Sequence, residues 1–148
     1  MEIRPAKREE AETWAGLRLK LWPDADAGEL CAETHAFLDG KRIATIASAL
    51  LALDDCAVVG FVEIAVRPFS DGCRSQPVPH VEGWYVEPFA RDRGIGRALL
   101  AAAEAWASAK GFNEMASDSE IGNEGSIAAH LACGFAEIER LVKFRKEL

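Results

Sequence analysis

A chain of 148 residues with 49% hydrophobic content is long enough to bury a core, and we expect one domain spanning residues 1–148. Its net charge of −7 argues against a nucleic-acid partner, since nucleic-acid binding needs basic surfaces. The apolar runs are too short to cross a membrane and the charged N-terminus lacks the apolar segment of a signal peptide, so we expect a cytoplasmic protein with no membrane partner.

The first half of the chain predicts a strand, two helices and a hairpin. "MEIRPA" has the form of a short strand, and apolar residues then recur at helical spacing over 11–21 until "WPDADAG" interrupts them. A second helix is expected over 26–38, with Asp39 and Gly40 as its stop signal. "ASALLALDDCAVVGFVEIAV" is typical of two strands joined at Asp54 and Asp55.

The second half begins with a polar loop, "RPFSDGCRSQPVP", whose length favours a functional role. We then expect a strand over 80–86, a helix over 94–110 capped by Gly111, a short strand over 115–117, a helix over 123–133 and a last strand over 136–145. In that last strand Ile138, Val142 and Phe144 share one parity, the pattern of a half-buried strand. These elements predict an α+β fold with a single mixed central sheet flanked by helices.

Cysteine usage predicts no metal site. The four cysteines include no C-x-x-C pair, and with the three histidines they form no zinc spacing along the chain. We therefore expect free thiols in a reducing compartment.

The segment "VEPFARDRGIGRALL" joins a strand to a helix and is the main chemical motif of the chain. It lacks the third glycine of a dinucleotide fingerprint and the Gly-Lys-Ser/Thr of a nucleotide P-loop. "RDRGIG" would present backbone N–H groups at an open helix N-terminus, which suits a pyrophosphate. The alternative is a glycine turn with solvated arginines, but three arginines at a helix N-terminus oppose the helix dipole and so favour an anion site.

This segment resembles the acetyl-CoA-binding motif of the GNAT superfamily of N-acetyltransferases, with Arg91, Gly94 and Gly96 at the motif positions. "GNEGSIAAHLACGF" likewise resembles the later helix of that family. The resemblance implies a GNAT-type acyl-CoA N-acyltransferase fold and acetyl-CoA as co-substrate. The cofactor-binding residues that it implies are Trp84, Tyr85, Val86, Arg91, Arg93, Gly94, Ile95, Gly96, Arg97 and Asn123.

A narrower resemblance extends over nearly the whole chain. "LRLKLWPD", "PHVEGWYVEP", "MASDSE" and "GFAEIERLVKFRK" are similar to segments of aminoglycoside 6′-N-acetyltransferases. This implies transfer of an acetyl group to the 6′-amine of an aminoglycoside, and a homodimer joined through the C-terminal strand. Two alternatives stay open, namely a GNAT enzyme for another amine and a non-catalytic acyl-CoA-binding module.

Acetyl transfer to an amine needs groups that bind the ammonium and accept its proton. The resemblance implies Glu82 and Asp118 for this task, without deciding which is the base, and Asp118 has the alternative of an N-cap or Asx-turn residue. His130 stands where many GNAT members carry a tyrosine that protonates the departing thiolate. It has either that role or one of packing near the cofactor.

The same resemblance implies further substrate-binding residues beside Glu82 and Asp118. A Trp at the end of an amphipathic helix is also a normal core residue, and a glutamate on the polar side of a strand is normally solvated. The residues in question are Trp22, Asp24, Phe69, Asp71 and Glu139.

Overall fold

The computed structural model describes residues 1–148 and divides into two compact units, Met1–Ser117 and Asp118–Leu148. The larger unit contains a five-stranded sheet and three α-helices. The smaller unit contains one helix and a C-terminal segment without regular secondary structure. The expectation of one domain over residues 1–148 stays a prediction.

The sheet of the larger unit is mixed, in the order β1-β2-β3-β4-β5. Neighbouring strands are antiparallel except β4 and β5, which are parallel. The α+β class with one mixed sheet is thereby confirmed. The elements are β1 Glu2–Pro5, α1 Ala11–Leu21, α2 Ala27–Leu38, β2 Ser48–Asp54, β3 Ala57–Arg67, β4 Val78–Val86, α3 Ile95–Ala109 and β5 Ala116–Ser117, with short 3-10 helices at Arg8–Glu10 and Pro88–Ala90.

Local signals account for most of these boundaries. The side chain of Asp26 accepts a hydrogen bond from the backbone N–H of Glu29 at 2.8 Å and so caps α2. The hairpin between β2 and β3 turns at Asp55 and Cys56, whose φ values of 47° and 67° are those of a two-residue hairpin turn. The turn lies one residue later than the sequence predicted.

The core lies between the sheet and its helices. Trp14 and Leu17 of α1 pack with Leu51, Leu53 and Phe61 of the sheet, and all five are buried. Helix α3 contacts β2, β3 and β4 and buries its apolar stripe there. This packing leaves the C-terminal end of β4 next to the N-terminal end of α3.

The predicted loop over 67–79 is shorter in the structure. Arg67 pairs with Val78 and Val66 with Pro79, so β3 and β4 extend into it and the loop covers only 68–77. The carboxylate of Glu114 accepts hydrogen bonds from the backbone N–H groups of Arg74 and Ser75. The loop is therefore held at its middle.

The smaller unit carries α4, Glu124–Ala132, which agrees with the predicted helix. The prediction of a final strand over 136–145 is wrong for the single chain, because the segment forms no helix, strand or bridge. Ile138, Val142 and Phe144 are 59, 75 and 93% exposed, so they do not form the buried face of a half-buried strand. A strand requires a second strand for its backbone hydrogen bonds, and this segment forms no such ladder.

Candidate active site

The parallel pairing of β5 with β4 ends before β4 does. His80 pairs with Ala116 and Val81 with Ser117, while β4 continues for five more residues to Val86. On its other edge β4 stays paired with β3 as far as Gly60 and Val86. The sheet thus opens on one edge of β4 at the residues for which the sequence predicted cofactor contacts.

The loop before α3 is built around two glycines. Gly94 is the N-cap of α3 with φ 79°, a conformation that favours glycine. Because Gly94 has no side chain, it supplies no cap for the N–H groups of the first turn. An added Cβ at Gly96 would lie 3.1 Å from Cζ2 of Trp84, so glycine allows this close approach. The uncapped N-terminus of a 15-residue helix can bind an anion through its N–H groups and dipole.

Two contacts join this loop to the end of β4. The indole N–H of Trp84 donates to the carbonyl of Gly96 at 3.1 Å. The Nε of Arg91 donates to the carbonyl of Val86 at 2.9 Å. The structure therefore brings together Trp84, Val86, Arg91, Gly94 and Gly96, as the motif implied.

Three other predicted cofactor residues lie in the same loop and the first turn of α3. The side chain of Ile95 is buried in the core, which leaves only its backbone for a ligand. Arg93 forms an ion pair with Asp54 at 2.8 Å, so part of its charge is compensated within the fold. Arg97 is exposed in the first turn of α3.

Tyr85 points its side chain toward the core. Its ring lies 6.3 Å from that of Phe61, and its hydroxyl donates to Oε2 of Glu87 at 3.1 Å. Burial raises the pKa of Tyr85, and the charge of Glu87 raises it further. The phenol stays protonated, and a cofactor contact by Tyr85 would have to use its backbone.

Glu82 is the unpaired residue of a β-bulge, because Glu63 pairs with Gly83 while the next residue, Ile64, pairs with Val81. Bulges redirect side chains and recur beside active sites. Both carboxylate oxygens of Glu82 accept hydrogen bonds from Arg67, Oε1 from Nε at 2.7 Å and Oε2 from Nη2 at 2.8 Å. The Nδ1 atom of His80 lies 3.4 Å from Oε1.

Arg67 and His80 were missed by the sequence analysis. Arg67 ends β3 and lies 15 positions before Glu82, so only the register of the β3–β4 hairpin brings them together. The signal available in the sequence was a basic residue at the end of one predicted strand and an acidic residue on the next strand.

Trp22, at the end of α1, lies over Gly83, the residue that follows Glu82 on β4. Its ring occupies the space above Gly83, where an added Cβ would lie 2.8 Å from Cη2 of the indole. It packs edge-on against Phe61 at 6.4 Å, and the guanidinium carbon of Arg18 lies 5.5 Å from its ring centroid. Trp22 is thus both a core residue and a neighbour of the candidate site.

The remaining substrate candidates of the larger unit are exposed. Asp24 lies in the α1–α2 connection, while Phe69, 61% exposed, and Asp71 lie in the 68–77 loop. Within this unit no hydrogen bond or ring contact joins them to Glu82 or Trp22. A surface depression of about 500 Å³ lies elsewhere, lined by Val66, Trp106 and Phe112 among others. It lacks an acidic residue and so offers no group to bind an ammonium.

The smaller unit holds the other four predicted residues. The side-chain oxygen of Asn123 accepts from the N–H of Ser126 at 3.0 Å and caps α4, so the alternative of Asp118 as N-cap is wrong. Asp118 and Glu139 are exposed. The Nδ1 of His130 donates to the carbonyl of Ser126 at 2.7 Å, and its ring packs edge-on against Phe135 at 5.3 Å.

Comparison with known proteins places this geometry among acetyltransferases. Residues 5–135 match the model of the acetyltransferase (GNAT) family. An aminoglycoside N(6′)-acetyltransferase type 1 of Stenotrophomonas maltophilia is 45% identical over 99% of this chain and 93% of its own. The corresponding protein of Klebsiella aerogenes is 42% identical over 99% and 96%.

A solved structure agrees with these relatives. The structure of AAC(6′)-Iy in complex with the bisubstrate analogue CoA-S-monomethyl-acetylneamine superimposes with a TM-score of 0.89. It is 35% identical, and the match covers 99% of this chain and 98% of that one. The expected GNAT-type fold is thereby confirmed.

Proposed function

Since this chain belongs to the GNAT family of acetyltransferases, we propose that it transfers the acetyl group of acetyl-CoA to the 6′-amine of an aminoglycoside antibiotic and so confers resistance. The observation that carries the proposal is the similarity to aminoglycoside N(6′)-acetyltransferases over 99% of the chain. The site geometry supports it, because Glu82 and the adjacent Gly83, which the Trp22 ring covers, lie on β4 beyond its pairing with β5.

The N-terminus of α3 fits the pyrophosphate of acetyl-CoA. It has no capping side chain, and Trp84 and Arg91 attach it to the end of β4. Acetyl-CoA supplies the activated thioester. The backbone of β4 from Trp84 to Val86, which lies beyond the pairing with β5, would hold the pantetheine arm.

In the reaction the amine nitrogen attacks the thioester carbonyl, the C–N bond forms and the C–S bond breaks. The ammonium must first lose a proton, which a carboxylate accepts directly or through water. Because both oxygens of Glu82 already accept hydrogen bonds from Arg67, we assign Asp118 to accepting the proton. Glu82 would bind the ammonium and share its negative charge between the substrate and Arg67. The thiolate then takes a proton, for which His130 is the candidate acid.

The substrate assignment can be tested by mapping the acetylated nitrogen with NMR. An aminoglycoside with a 6′-amine should be acetylated there, and a similar one with a 6′-hydroxyl should not, because the alcohol carries no ammonium for Glu82. Acetylation of a different ring nitrogen would contradict the assignment. Turnover of other amines without any turnover of aminoglycosides would identify a GNAT enzyme with another substrate.

The assignment of the base can be tested with Asp118→Asn. This variant keeps the side-chain shape and should lower kcat/KM for aminoglycosides by about 100-fold or more. Its affinity for acetyl-CoA, measured by calorimetry, should be unchanged. Retained kcat/KM would move the proton-accepting role away from Asp118.

We also propose that the protein is a cytoplasmic homodimer, with the 136–148 segment covered by a second copy. Five large apolar side chains of that segment are more than half exposed, Ile138, Leu141, Val142, Phe144 and Leu148, and such clustering marks an interface. The four free thiols suit a reducing compartment, and no helix of the chain is long and apolar enough to cross a membrane.

Sedimentation of Phe144→Asp tests the homodimer. This variant should be monomeric at a concentration where the wild type is dimeric. Phe89→Asp replaces another exposed phenylalanine and should stay dimeric. A monomeric wild type would remove both the dimer and any role for Glu139 across it.

A further inference from the structure

Three side chains of types that can bind a metal ion meet on the outer surface of the α1–α2 pair, apart from the candidate active site. Glu12 comes from α1, while Cys31 and His35 lie one turn apart on α2. One ligand atom of each lies within 4.8 Å of the other two. The expectation of no metal rested on spacing along the chain, which does not reveal residues that two packed helices bring together.

Two of the three donor separations in this cluster are near those of a tetrahedral zinc site, and the third, between Cys31 and His35, is no more than 4.8 Å. The Sγ of Cys31 lies 3.5 and 3.6 Å from the two oxygens of Glu12, and zinc bond lengths give an S···O separation of about 3.6 Å. The Nε2 of His35 lies 2.9 Å from Oε1 of Glu12, whereas a shared zinc ion needs about 3.4 Å. The Glu12 side chain is 78% exposed, so it can open by about half an ångström at little cost.

The donor set selects the class of metal. A thiolate, an imidazole and a carboxylate suit zinc and its neighbours in the transition series, whereas Mg²⁺ and Ca²⁺ require oxygen ligands. Three protein ligands leave one coordination position for water. We propose that Glu12, Cys31 and His35 bind one zinc-class divalent ion that links α1 to α2.

The position of this link has a structural consequence. α1 and α2 are joined by the short connection that contains Trp22 and Asp24. Glu12 lies near the start of α1, whereas the connection leaves the end of α1. A metal ion bound by both helices would therefore add a second link between them, away from the connection itself. Because the ion binds only the folded helix pair, it should raise the thermal unfolding temperature.

The test is titration of the reduced protein with Zn²⁺ by calorimetry and with Co²⁺ by absorption. We expect one ion per chain and a thiolate-to-cobalt charge-transfer band. Cys31→Ser should abolish the band and weaken Zn²⁺ binding by at least about tenfold, and His35→Ala should weaken Zn²⁺ binding similarly. Cys56→Ser, which removes an exposed thiol, should keep both the band and the affinity.

Thermal unfolding provides a second readout. Zn²⁺ should raise the unfolding temperature of the wild type and of Cys56→Ser, but not that of Cys31→Ser. The proposal is overturned if the wild type binds no Zn²⁺ saturably. It is equally overturned if Cys31→Ser binds as tightly as the wild type, or if the cobalt band depends on Cys56 instead.

Discussion

Replacing Arg67 with Gln should tighten the binding of an aminoglycoside, because Arg67 competes with the substrate ammonium for Glu82. Arg67 now occupies both oxygens of that carboxylate at 2.7 and 2.8 Å. Hydrogen bonds to charged groups contribute about 1.5–3 kcal/mol, and exposed ion pairs about 0–1 kcal/mol. The side chains of Arg67 and Glu82 are 40 and 20% exposed, so we take about 1 kcal/mol, which corresponds to about a fivefold lower KM.

Steady-state kinetics with a 6′-amino aminoglycoside at saturating acetyl-CoA measures the KM of the wild type and of Arg67→Gln. Arg42→Gln is the matched control, since it removes one positive charge from an exposed position between α2 and β2 and should leave KM unchanged. In the Glu82→Gln background, Arg67→Gln should no longer lower KM, because the carboxylate for which the two cations compete is gone. A higher KM in the single variant Arg67→Gln would refute the competition and show that Arg67 orients Glu82 for the substrate.

Two further predictions concern the loop before α3 and the buried core. Gly96→Asp should weaken acetyl-CoA binding by at least about tenfold in calorimetry, because it places a negative charge at the α3 N-terminus. Gly96→Ala adds only the Cβ near Trp84 and should lose much less acetyl-CoA affinity. Equal losses of affinity in the two variants would exclude an electrostatic cause. Burial raises the pKa of Glu63 from 4.5 to about 7, although Arg18 opposes this shift. Between these two values the folded state binds the extra proton, so wild-type stability should fall by up to about 3 kcal/mol as the pH rises. Urea unfolding at pH 5 and pH 8 should show this fall in the unfolding free energy of the wild type and a smaller fall in Glu63→Gln. An equal fall in both proteins would contradict the prediction.

Local sequence signals predicted most of the fold. The helical spacing of 11–21, the Asp39–Gly40 stop signal and the Asp54–Asp55 hairpin signal act over a few residues, so they are readable without tertiary structure. The loop before α3 belongs to the same class, because the φ of Gly94 and the helix that follows are local properties. The 136–145 segment shows the limit of such signals, since alternation predicts a strand only where a neighbouring strand exists to pair with it.

Tertiary structure decided which side chains lie next to one another at the candidate active site and at the candidate metal site. The bulge in the β3–β4 register sets Glu82 against Arg67, and the packing of α1 on the sheet sets Trp22 over Gly83. The convergence of Glu12 with Cys31 and His35 depends in the same way on the packing of two helices. Each of these contacts joins residues 15 or more positions apart, and their distances follow from strand register and helix packing. Neither property is encoded in the spacing of residues along one element, so the sequence by itself determined the elements and the motif, and the fold determined the partners of each side chain.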